Sequence, residues 1–140
     1  MTIGIFTGME VAASGLSAER TRMNAIASNL ANARSTRTDA GGPYKRIDPV
    51  FQASPLSGGP GASAVTLVRV TQMAQDQRPA QLVYEPGHPD ANGQGYVSYP
   101  NVNVVEEMVN MITASRAYEA GVTSIESIKG MARSALGIGK

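Results

Sequence analysis

All eight prolines of this 140-residue chain lie between positions 43 and 100, and the stretches on either side carry apolar residues at heptad spacing. Proline breaks a helix by removing one of its hydrogen bonds and crowding the preceding turn. Long helices are therefore confined to the two ends of the chain. In the first end segment, about Gly4 to Ala33, one apolar series is Met9, Leu16, Met23 and Leu30, and the second is Ala12, Glu19, Ile26 and Ala33, with Ile5 extending the pattern backward. Only Glu19 interrupts it. Such a 3.5-residue repeat is the mark of a helix packed against another helix. Thr7 and Glu10 have the spacing of a capping box and predict the start of the regular helix.

The second end segment, about Asn101 to Leu136, reads the same way. Asn103-Val-Val-Glu106 supplies a start signal after Pro100, and the two series are Met108, Ser115, Val122, Lys129, Leu136 and Met111, Tyr118, Ile125, Ala132. Val105, Ile112 and Ile128 widen the stripe. Gly121 and Gly130 each cost about 1 kcal/mol relative to alanine, so this helix needs a partner. Between the helices, Ala64–Gln72 is rich in β-branched residues and predicts a strand, with Gln81–Glu85 as its partner and Val50–Gln52 as a weaker third. Glycine and proline clusters predict mobile loops around 55–63 and 87–94. The fold class expected is α+β: an elongated, coiled-coil-like antiparallel pair of terminal helices with a small β-hairpin-containing insert.

Composition narrows the chemistry. Five Tyr, two Phe and no Trp give little aromatic area for a thick core. Twelve basic and eleven acidic residues leave a net charge of +1, which disfavours nucleic acid or an anionic membrane as the main partner. With no cysteine and a single histidine, His88, there is no thiolate, and a metal site would need carboxylates alone to complete it, which disfavours one. No G-x-S-x-G elbow is present, and the Gly139-Lys140 ending is not a phosphate loop because position 134 is Ser. The opening Met1-Thr-Ile-Gly-Ile-Phe lacks a basic n-region and no stretch is apolar enough to span a bilayer, so neither a cleaved secretory signal nor membrane insertion is expected.

From periodicity alone, the commoner meaning of the two seams is a helical hairpin within one monomer. Three motifs point further. Ser28-Asn-Leu-Ala-Asn32 leads into Arg37-Thr38 and Gly41-Gly-Pro-Tyr-Lys-Arg46; Tyr96 to Asn110 reads Tyr-Val-Ser-Tyr-Pro-Asn-Val-Asn-Val-Val-Glu-Glu-Met-Val-Asn; and Met111 to Glu119 continues into the last helix. These resemble the signatures of flagellar rod and hook proteins, over residues 1–46 and 96–140. The resemblance implies a structural subunit of the proximal rod, in the basal body where the rod crosses the periplasm. It implies export by the flagellar type III apparatus without a cleaved signal, and no cofactor or catalysis. Partners would be copies of the chain itself, other rod subunits of the FlgB, FlgF and FlgG types, and the adaptor FliE.

On this reading residues 1–33 are an N-terminal assembly helix, 34–100 an insert, and 101–140 a C-terminal assembly helix forming one unit with the first. Candidate interface residues are Met9, Leu16, Met23, Ile26, Leu30, Met108, Met111, Ile112, Val122 and Ile125. Asn29 and Asn32 are either helix caps or intersubunit contacts, and the two roles are compatible. Tyr44 would anchor the insert against the helices. Tyr118 reads as core. Arg116 lies off the seam, either solvated or paired with a neighbour's carboxylate. Alternatives kept open are another axial protein of the same family, a soluble helical-hairpin adaptor, and a rod-associated peptidoglycan hydrolase.

Overall fold

The computed structural model describes residues 4–56 and 65–138. Helix α1 runs Ile5–Ala31 and helix α2 Val104–Ile138, with strands β1 (Ile47–Pro55), β2 (Thr66–Gln75), β3 (Gln81–Tyr84) and β4 (Tyr96–Tyr99) between them. Gly8 lies opposite Ile128, Leu16 opposite Gly121, and Asn29 opposite Glu107. One number rises as the other falls, so the helices are antiparallel and in register over their shared length. No described helix is long and apolar enough to cross a membrane.

The end signals need one correction. Helix α1 starts at Ile5 behind Gly4 with no side-chain cap, and the Gly8 amide already donates to the Gly4 carbonyl. The Glu10 amide that Thr7 would serve therefore lies inside the helical ladder, and the box does not form. At the start of α2, Asn103 Oδ1 accepts from the amides of Val105 and Glu106 at 3.1 and 3.3 Å, which satisfies two orphan donors of the first turn.

The seam of α2 is also turned relative to the sequence reading. The series Met111, Tyr118, Ile125 and Ala132 does face α1, half-buried. Its companion series, however, is Glu107, Ala114, Gly121 and Ile128, one residue earlier than Met108, Ser115, Val122 and Lys129. Met108 and Ile112 are each 55 % exposed, and Leu136 is 76 % exposed. Either frame fits the first series, because heptads alternate steps of three and four. Apolar Met108 favoured one frame; a paired carboxylate and a glycine, both poor seam residues on composition, decide for the other.

Helix α1 is covered on two sides. Met9, Leu16, Met23 and Leu30 are half-buried and Ile26 fully buried in the helix pair. A second row of small residues, Ser14, Ala18 and Thr21, lies along β2, and Ser14 Oγ accepts the Val68 amide at 3.2 Å. Small side chains let a strand approach the helix closely.

The insert holds two hairpins. Strand β2 pairs antiparallel with β1, Ile47 opposite Gln75 and Pro55 opposite Thr66, with a bulge at Val50/Phe51; β3 pairs with β4, Gln81 opposite Tyr99. The expected pairing of β2 with Gln81–Glu85 is thus wrong, the weak third strand is β2's true partner, and β4 was not expected as a strand. The reason lies at residues 76–79. Asp76 accepts both the Arg78 amide and its guanidinium, and Asn101 Nδ2 donates to the Asp76 and Arg78 carbonyls. That turn, followed by Pro79, carries the chain away from β2.

Most of the 55–63 loop lies outside the described residues. The 87–94 loop, expected to be mobile, is instead pinned. Asn92 Oδ1 accepts the amides of Gln94 and Tyr96, and Asp90 accepts from Thr36 Oγ1 and pairs with Arg37, each at 2.8 Å. Gly95 closes it at φ +80, where a Cβ would also lie 2.8 Å from Tyr84 Cε2.

At Gly121 a Cβ would fall 2.7 Å from Leu16 Cδ2. Gly121→Val should therefore destabilise the fold by about 1–3 kcal/mol through overpacking. Urea unfolding checks this, and the same substitution should cost less in a Leu16→Ala background.

Candidate assembly interface

Two surfaces stand out: a buried polar joint where the helices meet the insert, and an apolar face that nothing among the described residues covers. The joint is built around Asn29 of α1 and Glu107 of α2, both 0 % exposed. Glu107 Oε2 accepts from Asn29 Nδ2 at 2.9 Å, and Oε1 accepts from Arg46 Nε at 2.8 Å. Asn29 completes its own set with the Ile47 backbone, donating to its carbonyl and accepting its amide at 2.9 Å each, and with Tyr44 OH at 3.0 Å. The Arg46 amide donates to Asn101 Oδ1 at 2.9 Å. Helix, β1 and α2 are thus joined through one carboxylate.

Burying a charge costs several kcal/mol unless it is paired and its remaining lone pairs are satisfied. Glu107 is paired with Arg46, and each of its oxygens accepts one hydrogen bond. Burial alone would lower the Arg46 pKa; the hydrogen bonds to Glu107 and Asp48 outweigh it and hold the guanidinium above its ordinary value. At the neighbouring turn, the hydrogen bond from the Arg78 side chain, then that from its amide, holds the Asp76 carboxyl below its ordinary value.

The joint explains the longest of the three motifs. Pro100, Asn101 and Val102 are buried together with Val97; Asn101 ties β1 to the turn at 76–78; Asn103 caps α2; and Glu107 closes the joint. Asn29 is therefore no cap, but a buried cross-link. Asn32 does end α1, though at φ −102 rather than in left-handed geometry, with its Nδ2 on the Ser28 carbonyl. Tyr44 reaches Asn29 and, at 3.3 Å, Ser28 Oγ. Glu107, Arg46 and Asn101 were missed by sequence reasoning. Glu107 was detectable in principle: it stands one and two turns before Met111 and Ala114 on an apolar face, where a carboxylate requires a partner.

The second surface lies on the opposite side of α2. Val105, Met108, Val109 and Ile112 are exposed at spacings of three and four, and Arg116 follows one turn on. Met111, Tyr118, Val122 and Ile125 are half-buried. The predicted set thus divides: the α1 residues and this last group pack within the chain, while Met108, Ile112 and Arg116 do not.

Comparison with known families places this paired-helix unit with its β insert among the flagellar axial proteins. The family described as "Flagella basal body rod protein" matches residues 9–36, and "Flagellar basal body rod FlgEFG protein C-terminal" matches 94–138. Asn29 falls in the first match and Glu107 in the second. Among relatives, the flagellar basal-body rod protein FlgC of Borreliella burgdorferi is 44 % identical over 97 % of this chain and 98 % of its own. The FlgC proteins of Salmonella typhimurium, 43 % identical over 94 % of this chain and 95 % of theirs, and Bacillus subtilis, 40 % over 96 % and 98 %, are similarly close. The chain belongs to the FlgC family of flagellar basal-body rod proteins.

Two measurements test the joint. Glu107→Ala should cost about 1–3 kcal/mol in urea unfolding, because it leaves Arg46 Nε and Asn29 Nδ2 without their buried acceptor while Asp48 still pairs with Arg46, and Glu107→Gln should cost less because it keeps an acceptor. By NMR, Asp76 should titrate below the ordinary value of about 3.9. Its folded pKa is depressed, so its stabilising contribution is present above that value and is lost as pH falls through the folded one. Arg78→Ala should raise the midpoint.

Proposed function

We propose that the chain is a structural, non-catalytic subunit of the proximal part of the flagellar basal-body rod, assembling through α1 and α2 with copies of itself and with other rod subunits. It reaches the rod through the flagellar type III export apparatus. The observation that carries this reading is the imbalance of apolar surface. Among the described residues, the buried hydrophobic side chains are Ala18, Ala25, Ile26, Val97, Val102 and Ala114, three of them alanines, whereas Phe6, Val105, Met108, Val109, Ile112, Met131 and Leu136 are exposed by more than half. A lone subunit with so thin a core leaves its best packing surface in water, and neighbours in a filament would cover it. Its buried carboxylate, Glu107, accepts one hydrogen bond on each oxygen, from Asn29 and Arg46, and is engaged in structure.

Because Met108 is exposed, Met108→Asp separates assembly from folding. Urea unfolding of the isolated subunit should change by less than about 0.5 kcal/mol, as for most surface changes. In cells the same substitution should abolish basal-body rods under the electron microscope and swimming in soft agar. Normal flagella in that strain would refute assembly through this face.

A further inference from the structure

Where α1, α2 and the β1–β2 hairpin meet, they leave an open, mostly apolar groove of about 450 Å³, lined by Ala12, Gly15, Leu16, Phe51, Val68 and Ala117 among others. Glu19 stands on its wall. Its Oε2 is buried without a hydrogen-bond partner, alone in this among the side-chain polar atoms of the described residues. Arg22, one turn along the same helix, forms an ion pair with it at 3.9 Å, too long for a hydrogen bond, and the Glu19 side chain is 24 % exposed. A buried carboxylate oxygen with a distant ion pair and no hydrogen bond can take a closer cationic donor delivered on an apolar support.

The chain itself carries such a support. Val105, Val109, Ile112 and Arg116 follow one another along a single face of α2, at steps of four, three and four residues. That face is turned away from the seam of Glu107, Ala114, Gly121 and Ile128, so Arg116 points away from its own Glu19. No carboxylate lies within salt-bridge distance of Arg116 among the described residues. We infer that the groove receives α2 of a second copy of the chain, with Ile112 seated among the small residues and the Arg116 guanidinium on Glu19. The inference rests on the rod-subunit reading and adds the contact by which like subunits meet. Small Ala12, Gly15 and Ala117 allow a helix to approach, and anchors at i, i+4, i+7 and i+11 keep to one face, as for a helix in a groove. Groove and stripe are different surfaces, so each copy is donor to one neighbour and acceptor to the next. A heterologous contact of this kind builds a ring or helical array rather than a closed dimer.

Charge exchange and cross-linking test it in the assembled rod. Glu19→Arg and Arg116→Glu should each reduce the chain recovered in isolated basal bodies roughly tenfold or more, since like charges then meet across a desolvated contact. The doubly exchanged chain should recover most of the loss. Independently, the chain contains no cysteine, and a Cβ at Gly15 meets nothing within 4 Å. A chain with both Gly15→Cys and Ile112→Cys should give a ladder of covalent multimers on mild oxidation of basal bodies, and neither single substitution should. Unaffected single reversals, no recovery in the double exchange, no ladder, or cross-links to other rod subunits alone would overturn the contact. If the unsubstituted chain is present in basal bodies, those results leave rod membership intact; its absence there would instead overturn the rod reading.

Discussion

The carboxylate of Glu107 is the constraint around which the subunit is arranged. A charged group with essentially no exposure is tolerable only where it is paired and hydrogen-bonded, and here the donors come from two other parts of the chain: Asn29 from α1 and Arg46 from the residue before β1. Sliding either helix by one residue would leave the charge buried and unpaired. Apolar seams alone do not impose such a register, since alanines and glycines slide past one another at little cost. The polar joint thus supplies specificity where the thin core supplies only modest cohesion.

From that joint the remaining geometry follows outward. Fixing Glu107 toward α1 turns Ala114, Gly121 and Ile128 to the same side and lets Leu16 settle over Gly121. The same rotation turns Val105, Met108, Val109 and Ile112 outward. Asn101, held by the Arg46 amide and by the carbonyls of Asp76 and Arg78, transmits the constraint to the β1–β2 hairpin, which then covers the second side of α1. One face of α2 is therefore apolar and uncovered because the opposite face is committed. This division suits a rod subunit, since the buried face sets the shape of the unit and the opposite face stays exposed.

The prolines and the two heptad patterns determined that the chain would be two terminal helices around an irregular insert. That was legible because helix breaking and heptad periodicity are local properties. The motifs at 28–46 and 96–119 determined the family, because a long run of specified residues records the packing that requires it. Tertiary structure alone decided the frame of α2, the pairing of the strands and the role of Asn29. Each depends on a partner distant in sequence: Met108 and Glu107 compete for the seam, and only the donors on α1 and beside β1 make the charged residue the one that is buried. Strand propensity marks β2 without naming β1 as its mate, and an asparagine near a helix end reads as a cap until the opposing carboxylate is in place.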